Sequence, residues 1–368
     1  MFKKYKILKL TSLFFIGVIV IIVYFGLWFK SLIPPRDNKI ESTLIKDLPY
    51  LSENIIPFRG KILAVVTSAD IMGDSNKKTG YELSELARAY YTFKANGFEV
   101  DIASPKGGKP PVVIDDEDMG AYDFAFLNDS VAQYKTSHTI KIEDVVAEDY
   151  KAIFFAGGKG AMFDFPNNKA IQSIVKNYYQ SNKVISAVCH GPAALVNVTL
   201  DNGRPLLEHK TVSGFTNKEE LLLISEAKTI FPFLLQDKMV EQGASFSEGS
   251  MYLEKISHDK NLITGQNPWS TWKLAESVIE QLEYTPKYRE LTDEENAVKI
   301  LSTYREKGKE KAKKMIEKML IEDKKKVNIV LIAKHSIISA IQGEIGDFFN
   351  LIGLVSFTKK CIAKSADI

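Results

Sequence analysis

"SAVCHGPAAL", residues 186–195, places one of only two cysteines at the end of an apolar run, sets a histidine beside it, and follows both with Gly-Pro. A buried strand ending at Cys189 and turning straight into a helix would leave the thiol at the carboxyl end of a sheet strand. Open parallel sheets gather their reactive groups there. Pro192 suits the first turn of the helix expected over 191–198, and Gly191 allows a tight turn. Upstream, "KAIFFAGG" (151–158) reads as a strand running into a glycine pair, and "KAIQSIVKNYYQSN" (169–182) as the helix leading to the strand "KVISAVC" (183–189). Further upstream, "KILAVVTSA" (61–69) and "FEVDIASP" (98–105) read as strands on either side of a helix within 80–97. In that helix Leu83, Leu86, Ala87 and Tyr90 keep helical spacing, and Gly97 is the expected C-cap. Strand, helix, strand in this order means a right-handed parallel crossover. With further strands expected over 209–215, 242–248 and 252–265, and a helix over 268–282, the pattern predicts an α/β, doubly wound, mostly parallel sheet over about 60–283.

The 368 residues are 45% hydrophobic and 26% charged, with a net charge of +2, which gives no global argument for nucleic acid binding. The ends are less ordinary. Residues 10–29, "LTSLFFIGVIVIIVYFGLWF", carry no charged side chain and match the apolar thickness of a bilayer. The following "GLWFKSLIPPR" offers no small-x-small cleavage site, so the sequence predicts a retained transmembrane anchor rather than a signal peptide. Lys3, Lys4, Lys6 and Lys9 precede the run, against Lys30 and Arg36 after it. This balance puts residues 1–9 in the cytoplasm and the body of a single-pass protein on the outer face of the cell membrane. Tyr24 and Trp28 suit the far interface.

Residues 30–59 read as a Pro-punctuated linker. The tail from 284 to 368 reads as helical and partly amphipathic, with a Lys/Glu-rich stretch (305–326) and an apolar stretch (327–357). Lys334, His335, Glu344 and Asp347 interrupt the latter and argue against a second span; helices docking on a membrane, a partner or the core fit better. Cys189 and Cys361 make no disulfide framework, and no Cys/His cluster has zinc spacing, so no metal is expected.

A catalytic cysteine needs access, a lowered pKa and an oxyanion site. A helix starting after Cys189 would favour the thiolate. Gly157 and Gly158, at another strand end, can turn backbone N–H groups toward a developing oxyanion. Glu82 and Glu85 enter a helix near the same edge, and a carboxyl there could bond the sulfur or exchange a proton with substrate. "GFTNKEE" (214–220) supplies Glu219 and Glu220, either of which could orient His190. Each piece alone has a plain structural reading; their coincidence at successive strand ends points to chemistry. His138, His209, His258 and His335 read as surface or structural histidines; Trp269 and Trp272 could wall a pocket but read first as core residues of the last helix.

"GYELSELARAYYTFKANGFEVDIASPKGG", "FFAGGKGAMFDFPNN", "AVCHGPAAL", "GFTNKEE" and "NLITGQNPWS" together resemble the PfpI-type, class I glutamine-amidotransferase-like superfamily, in its stress-chaperone and glyoxalase III branch. The resemblance covers roughly 60–283 and implies a flavodoxin-like fold with Cys189 as nucleophile. It further implies His190 beside it, Glu85 as the acid near the sulfur, and Glu220 as the acid completing the triad. The oxyanion positions would be Gly158 and the His190 N–H, and the assembly a homodimer. One departure stands out: the branch commonly has a histidine where this chain has Lys159, a flexible cation that could lower the thiol pKa or recruit an anionic substrate. Gly157 and Lys159 are the candidate substrate contacts. The chemistry expected is cofactor-independent conversion of methylglyoxal to a 2-hydroxy acid, with lyase character. Amide or peptide hydrolysis, and a chaperone or redox-sensing role with client proteins, are the competing readings.

Overall fold

The computed structural model describes residues 26–28, 30–31, 38–115 and 119–366. The expected transmembrane run lies outside them except for Gly26, Leu27 and Trp28. Among the described residues no helix is long and apolar enough to cross a membrane. The chain divides into two compact units, residues 38–290 and residues 1–37 with 291–368.

The first unit is built on a seven-stranded sheet: β1 (Gly60–Val65), β2 (Phe98–Ser104), β3 (Ile140–Lys141), β4 (Tyr150–Phe155), β5 (Val184–Val188), β6 (Ile256–Asp259) and β7 (Leu262–Gly265). Their order across the sheet is β6-β7-β5-β4-β1-β2-β3, with every neighbouring pair parallel except the β6–β7 hairpin. The central strands read as continuous apolar runs because both faces are covered. Ile62, Leu63, Ile153, Phe154, Phe155 and Ile185 are fully buried. From β1 the sheet grows through β2 to β3 on one side and through β4, β5 and β7 on the other. That reversal opens a crevice at the carboxyl ends of β1, β4 and β5.

Helix α1 (Leu83–Ala95) follows the loop after β1, α2 (Lys169–Gln180) joins β4 to β5, α3 (Asn217–Leu223) follows β5, and α4 (Thr271–Gln281) closes the unit. Gly97, just past α1, has φ +84°, and a Cβ there would collide with the Pro57 carbonyl. Asn168 starts α2 by accepting the Ala170 and Ile171 N–H groups.

Several expectations change. The helix expected from 191 is a five-residue 3-10 helix, Gly191–Leu195, because the chain is extended again at Val196. The strand expected over 252–265 is the β6–β7 hairpin, turned at Lys260 with φ +57°. The strands expected over 209–215 and 242–248 shrink to Thr211–Val212 paired with Ser245–Phe246, apart from the main sheet. There serine side chains take up backbone partners: Ser213 Oγ donates to the Ser247 carbonyl, and the Ser213 N–H donates to Thr264 Oγ1.

The domain boundaries also widen. Residues 38–59 had been expected to belong to a linker, yet Leu48, Tyr50 and Leu51 are buried. Lys287 Nζ donates to the Tyr50 carbonyl at 2.7 Å and the Lys287 N–H to Asn96 Oδ1 at 2.7 Å, so 284–290 also belong to this unit.

The second unit is helical: α5 (Asp293–Lys307), α6 (Lys309–Glu317), α7 (Ile329–Ile341) and α8 (Ile345–Ala366). Thr292 and Glu295 cap α5 reciprocally, and Gly308, with φ +81°, turns the chain into α6. Ile300, Ile316, Ile332, Leu351, Leu354 and Val355 form its buried seam.

Candidate active site

The site starts from backbone strain. Cys189 has φ +59°, a left-handed conformation that costs a non-glycine residue roughly 1–2 kcal/mol. The surroundings hold it there: the Cys189 N–H donates to the Gly265 carbonyl at the end of β7, and its carbonyl accepts the Phe215 N–H, both at 2.9 Å. Gly191 completes the elbow, since a Cβ at that position would strike the Phe155 carbonyl. The thiol therefore stands at the end of β5, facing the crevice.

Two side chains meet it, and a third orients one of them. His190 Nδ1 lies 3.3 Å from Sγ, and His190 Nε2 lies 2.5 Å from Glu220 Oε2. With Nε2–H donating to that carboxylate, Nδ1 remains to accept the thiol proton. Phe215 and Phe231 flank the imidazole, with centroids at 4.6 and 6.3 Å, and fix its plane.

Glu85, on the first turn of α1, is fully buried and interacts with the sulfur from the other side. Its Oε2 accepts the Gly157 N–H at 2.6 Å, while Oε1 has no hydrogen-bond partner by geometry. Burial, reinforced by Glu82, pushes Glu85 up to about 8, so near neutrality it carries a proton. Burial also pushes the Cys189 thiol up, Glu85 adds to the shift, and Lys159 opposes it. This corrects the expectation of a thiolate stabilised by a helix N-terminus. Cys189 is only 5% exposed and the segment after it is a five-residue 3-10 helix. A thiolate can form here chiefly while Glu85 keeps its proton and donates it toward sulfur.

The structure brings together Cys189, His190, Glu220, Glu85, Gly158 and Lys159. Gly157 is different. Its N–H is committed to Glu85, and it does not line the cavity, so it positions the carboxyl rather than contacting substrate. Among the described residues the N–H groups of Gly158 and His190 have no acceptor, and both residues border the cavity. Gly158 is held at φ +97°, where a Cβ would collide with the Gly80 carbonyl.

The open choice between Glu219 and Glu220 is settled by geometry. Glu219 Oε2 accepts from the Thr216 N–H and hydroxyl, and Oε1 accepts from the Tyr252 N–H, Gln266 and Asn267. Its acceptor capacity is spent on holding α3 and the strand-end loops, which leaves Glu220 to His190.

A cavity of about 370 Å³ opens over the sulfur. Sequence reasoning missed several of its walls. Arg88 lines it, paired with buried Asp123 at 3.0 Å and set over Trp269, 5.0 Å from the ring. Trp269 thus serves the core and the cavity at once, while Trp272 packs on Tyr122. Glu82, expected with Glu85 as a carboxyl near this edge, does face the cavity; burial pushes it up to about 7 against the pull of Lys159. The Arg88–Asp123 pair, 35 residues apart, had no sequence signal.

A parallel α/β sheet with a cysteine on a strained strand-end elbow, backed by histidine and two carboxyls, defines a class of elbow-cysteine proteins. This chain belongs to the DJ-1/PfpI family, whose model matches residues 77–281. It is 33% identical over 235 residues to the glutathione-independent glyoxalase HSP31 of Saccharomyces cerevisiae, covering 60% of this chain and 97% of the relative. Among solved structures, the Rapid Encystment Protein of 24 kDa from Francisella tularensis is 40% identical, with a TM-score of 0.58 over 61% of this chain and 99% of its own. Glyoxalase III from Candida albicans is 29% identical, with a TM-score of 0.54 over 60% of this chain and 97% of its own.

Proposed function

We propose that this protein converts methylglyoxal to lactate without a cofactor, using Cys189 as nucleophile, in a domain tethered to the cell membrane by residues 10–29. The observation that carries the reading is the elbow cysteine held between a Glu220-oriented imidazole and a protonated Glu85. The glyoxalase names of its relatives support the substrate, and the uncharged 10–29 run supports the anchor.

The steps balance without an outside oxidant. His190 Nδ1 takes the thiol proton as sulfur forms a bond to the aldehyde carbon, giving a hemithioacetal whose oxygen is met by the Gly158 and His190 N–H groups. A proton then leaves that carbon and another arrives at the neighbouring one through an enediolate, with Glu85 or His190 as shuttle. The product is a lactoyl thioester, and water breaks its C–S bond, releasing lactate and restoring the thiol. One methylglyoxal and one water become one lactate.

The test is methylglyoxal loss and lactate appearance with the purified, reduced full chain, beside Cys189→Ser and Glu85→Gln. Turnover in the parent that falls at least about a thousandfold in Cys189→Ser and a hundredfold in Glu85→Gln is the expected result. An inactive parent whose thiol still reacts rapidly would overturn the oxoaldehyde assignment and favour hydrolysis of amide substrates.

A further inference from the structure

The tail unit carries an apolar tip that neither the family nor the proposed reaction uses. Ile341 closes α7 and Ile345 opens α8, with Phe349 one turn further on. They are 66%, 55% and 61% exposed, and Ile337, one turn before Ile341, is 46% exposed. Four large apolar side chains around one helical hairpin are costly to leave in water.

Two acids at this tip would ordinarily forbid an apolar contact, yet both are tied to one cation. Arg305 Nη1 donates to Glu344 at 3.1 Å and to Asp347 at 2.5 Å, and the Tyr304 hydroxyl adds a bond to Asp347 at 2.6 Å. The tip therefore presents isoleucines and a phenylalanine with its carboxylates internally satisfied.

What covers it follows from charge and from the course of the chain. Residues 305–326 hold ten Lys or Arg against five Asp or Glu. Among the described residues Lys324, Lys325 and Lys326 form no ion pair, and they border a second cavity of about 370 Å³ beside Ile362. The Lys359 ammonium on α8 donates to the carbonyl of Ser31, two residues after the uncharged 10–29 run. Leu27 and Trp28, at the end of that run, are exposed. Ten helical residues separate Lys359 from Phe349, or about 15 Å along α8.

We propose that the hairpin tip Ile341–Phe349 inserts shallowly into the anionic leaflet from which residues 10–29 emerge, so that the helical unit lies on the bilayer surface. The basic stretch meets anionic headgroups while the tip enters the acyl boundary. The proposal rests on the anchor reading for which bilayer is meant. The tip's own contact is measured separately.

The test uses the full chain in vesicles of phosphatidylcholine with and without phosphatidylglycerol, in a Cys189→Ser, Cys361→Ser background. An environment-sensitive fluorophore is attached through Ile345→Cys or, as control, through exposed Glu148→Cys. Expected is a blue-shifted emission at position 345, quenched by brominated acyl chains, strengthened by phosphatidylglycerol, and absent at 148. Arg305→Gln, which frees both tip carboxylates, should cut that quenching at least about threefold. A probe at 345 that stays open to iodide on vesicle-bound protein overturns the proposal. So does a blue shift without acyl-chain quenching, which would mean that protein covers the tip. Carbonate extraction reads the anchor on its own: release of the chain sinks the span, while acyl-chain quenching at 345 still decides the tip.

Discussion

At the scale of single residues, the elbow stores strain for position. Cys189 keeps φ +59° because its N–H and carbonyl are both claimed from outside the turn. Glycine bears that conformation freely, so Cys189→Gly should be more stable than Cys189→Ala by about 1 kcal/mol, reversing their order in a helix or strand. Urea denaturation of the two variants checks this, and an Ala variant equal to or better than Gly would mean the strain is not held. Cys189 and His190 were legible because they sit in a short local motif at a strand end, whereas Glu85 and Glu220 were separated from Glu82 and Glu219 only by the family resemblance. What the motifs could not show was allocation. Nothing in "AGGKG" says that the first glycine N–H serves Glu85 and the second faces the cavity. That division depends on α1 passing above the β4 loop.

At the scale of elements, α3 shows how one carboxyl builds while its neighbour is left to His190. Glu219 caps the helix through Thr216 and gathers Tyr252, Gln266 and Asn267 from two later loops. Glu219→Ala should therefore lose roughly 2–4 kcal/mol of stability, measured by denaturant unfolding. Glu220→Gln should lose much less stability and mainly lower turnover. The opposite pattern would exchange the two roles. The central strands were readable from sequence because burial on both faces leaves them uniformly apolar. The outer elements were not. The β6–β7 hairpin turns at Lys260 without a glycine, and Thr211–Val212 pairs with Ser245–Phe246, more than thirty residues away.

At the scale of the whole molecule, several buried carboxyls resist ionisation, two of them in the crevice. Burial raises Glu85 from 4.5 to about 8, Glu82 from 4.5 to about 7 and Asp164 from 3.8 to about 6. At these three groups the folded state holds more protons than the unfolded chain between about pH 4 and 8, and their contribution to stability falls as pH rises through that window. The contribution is complete below the unfolded values and gone above the folded ones. Glu85→Gln should flatten the fall between pH 4.5 and 8 by an amount on the order of 4 kcal/mol, read from unfolding free energies across pH. An unchanged slope would show that Glu85 titrates normally.

The clamp on Cys189 also fixes when the thiol comes of age during synthesis. The acceptor for its N–H is Gly265, 76 residues later in the chain, and the donor to its carbonyl is Phe215. A nascent polypeptide that has just exposed Cys189 has neither. Its sulfur is then an ordinary side chain on a relaxed backbone, and the elbow is set only after β7 has been threaded beside β5. If the body crosses a membrane as it is made, the proposed nucleophile makes the crossing unarmed.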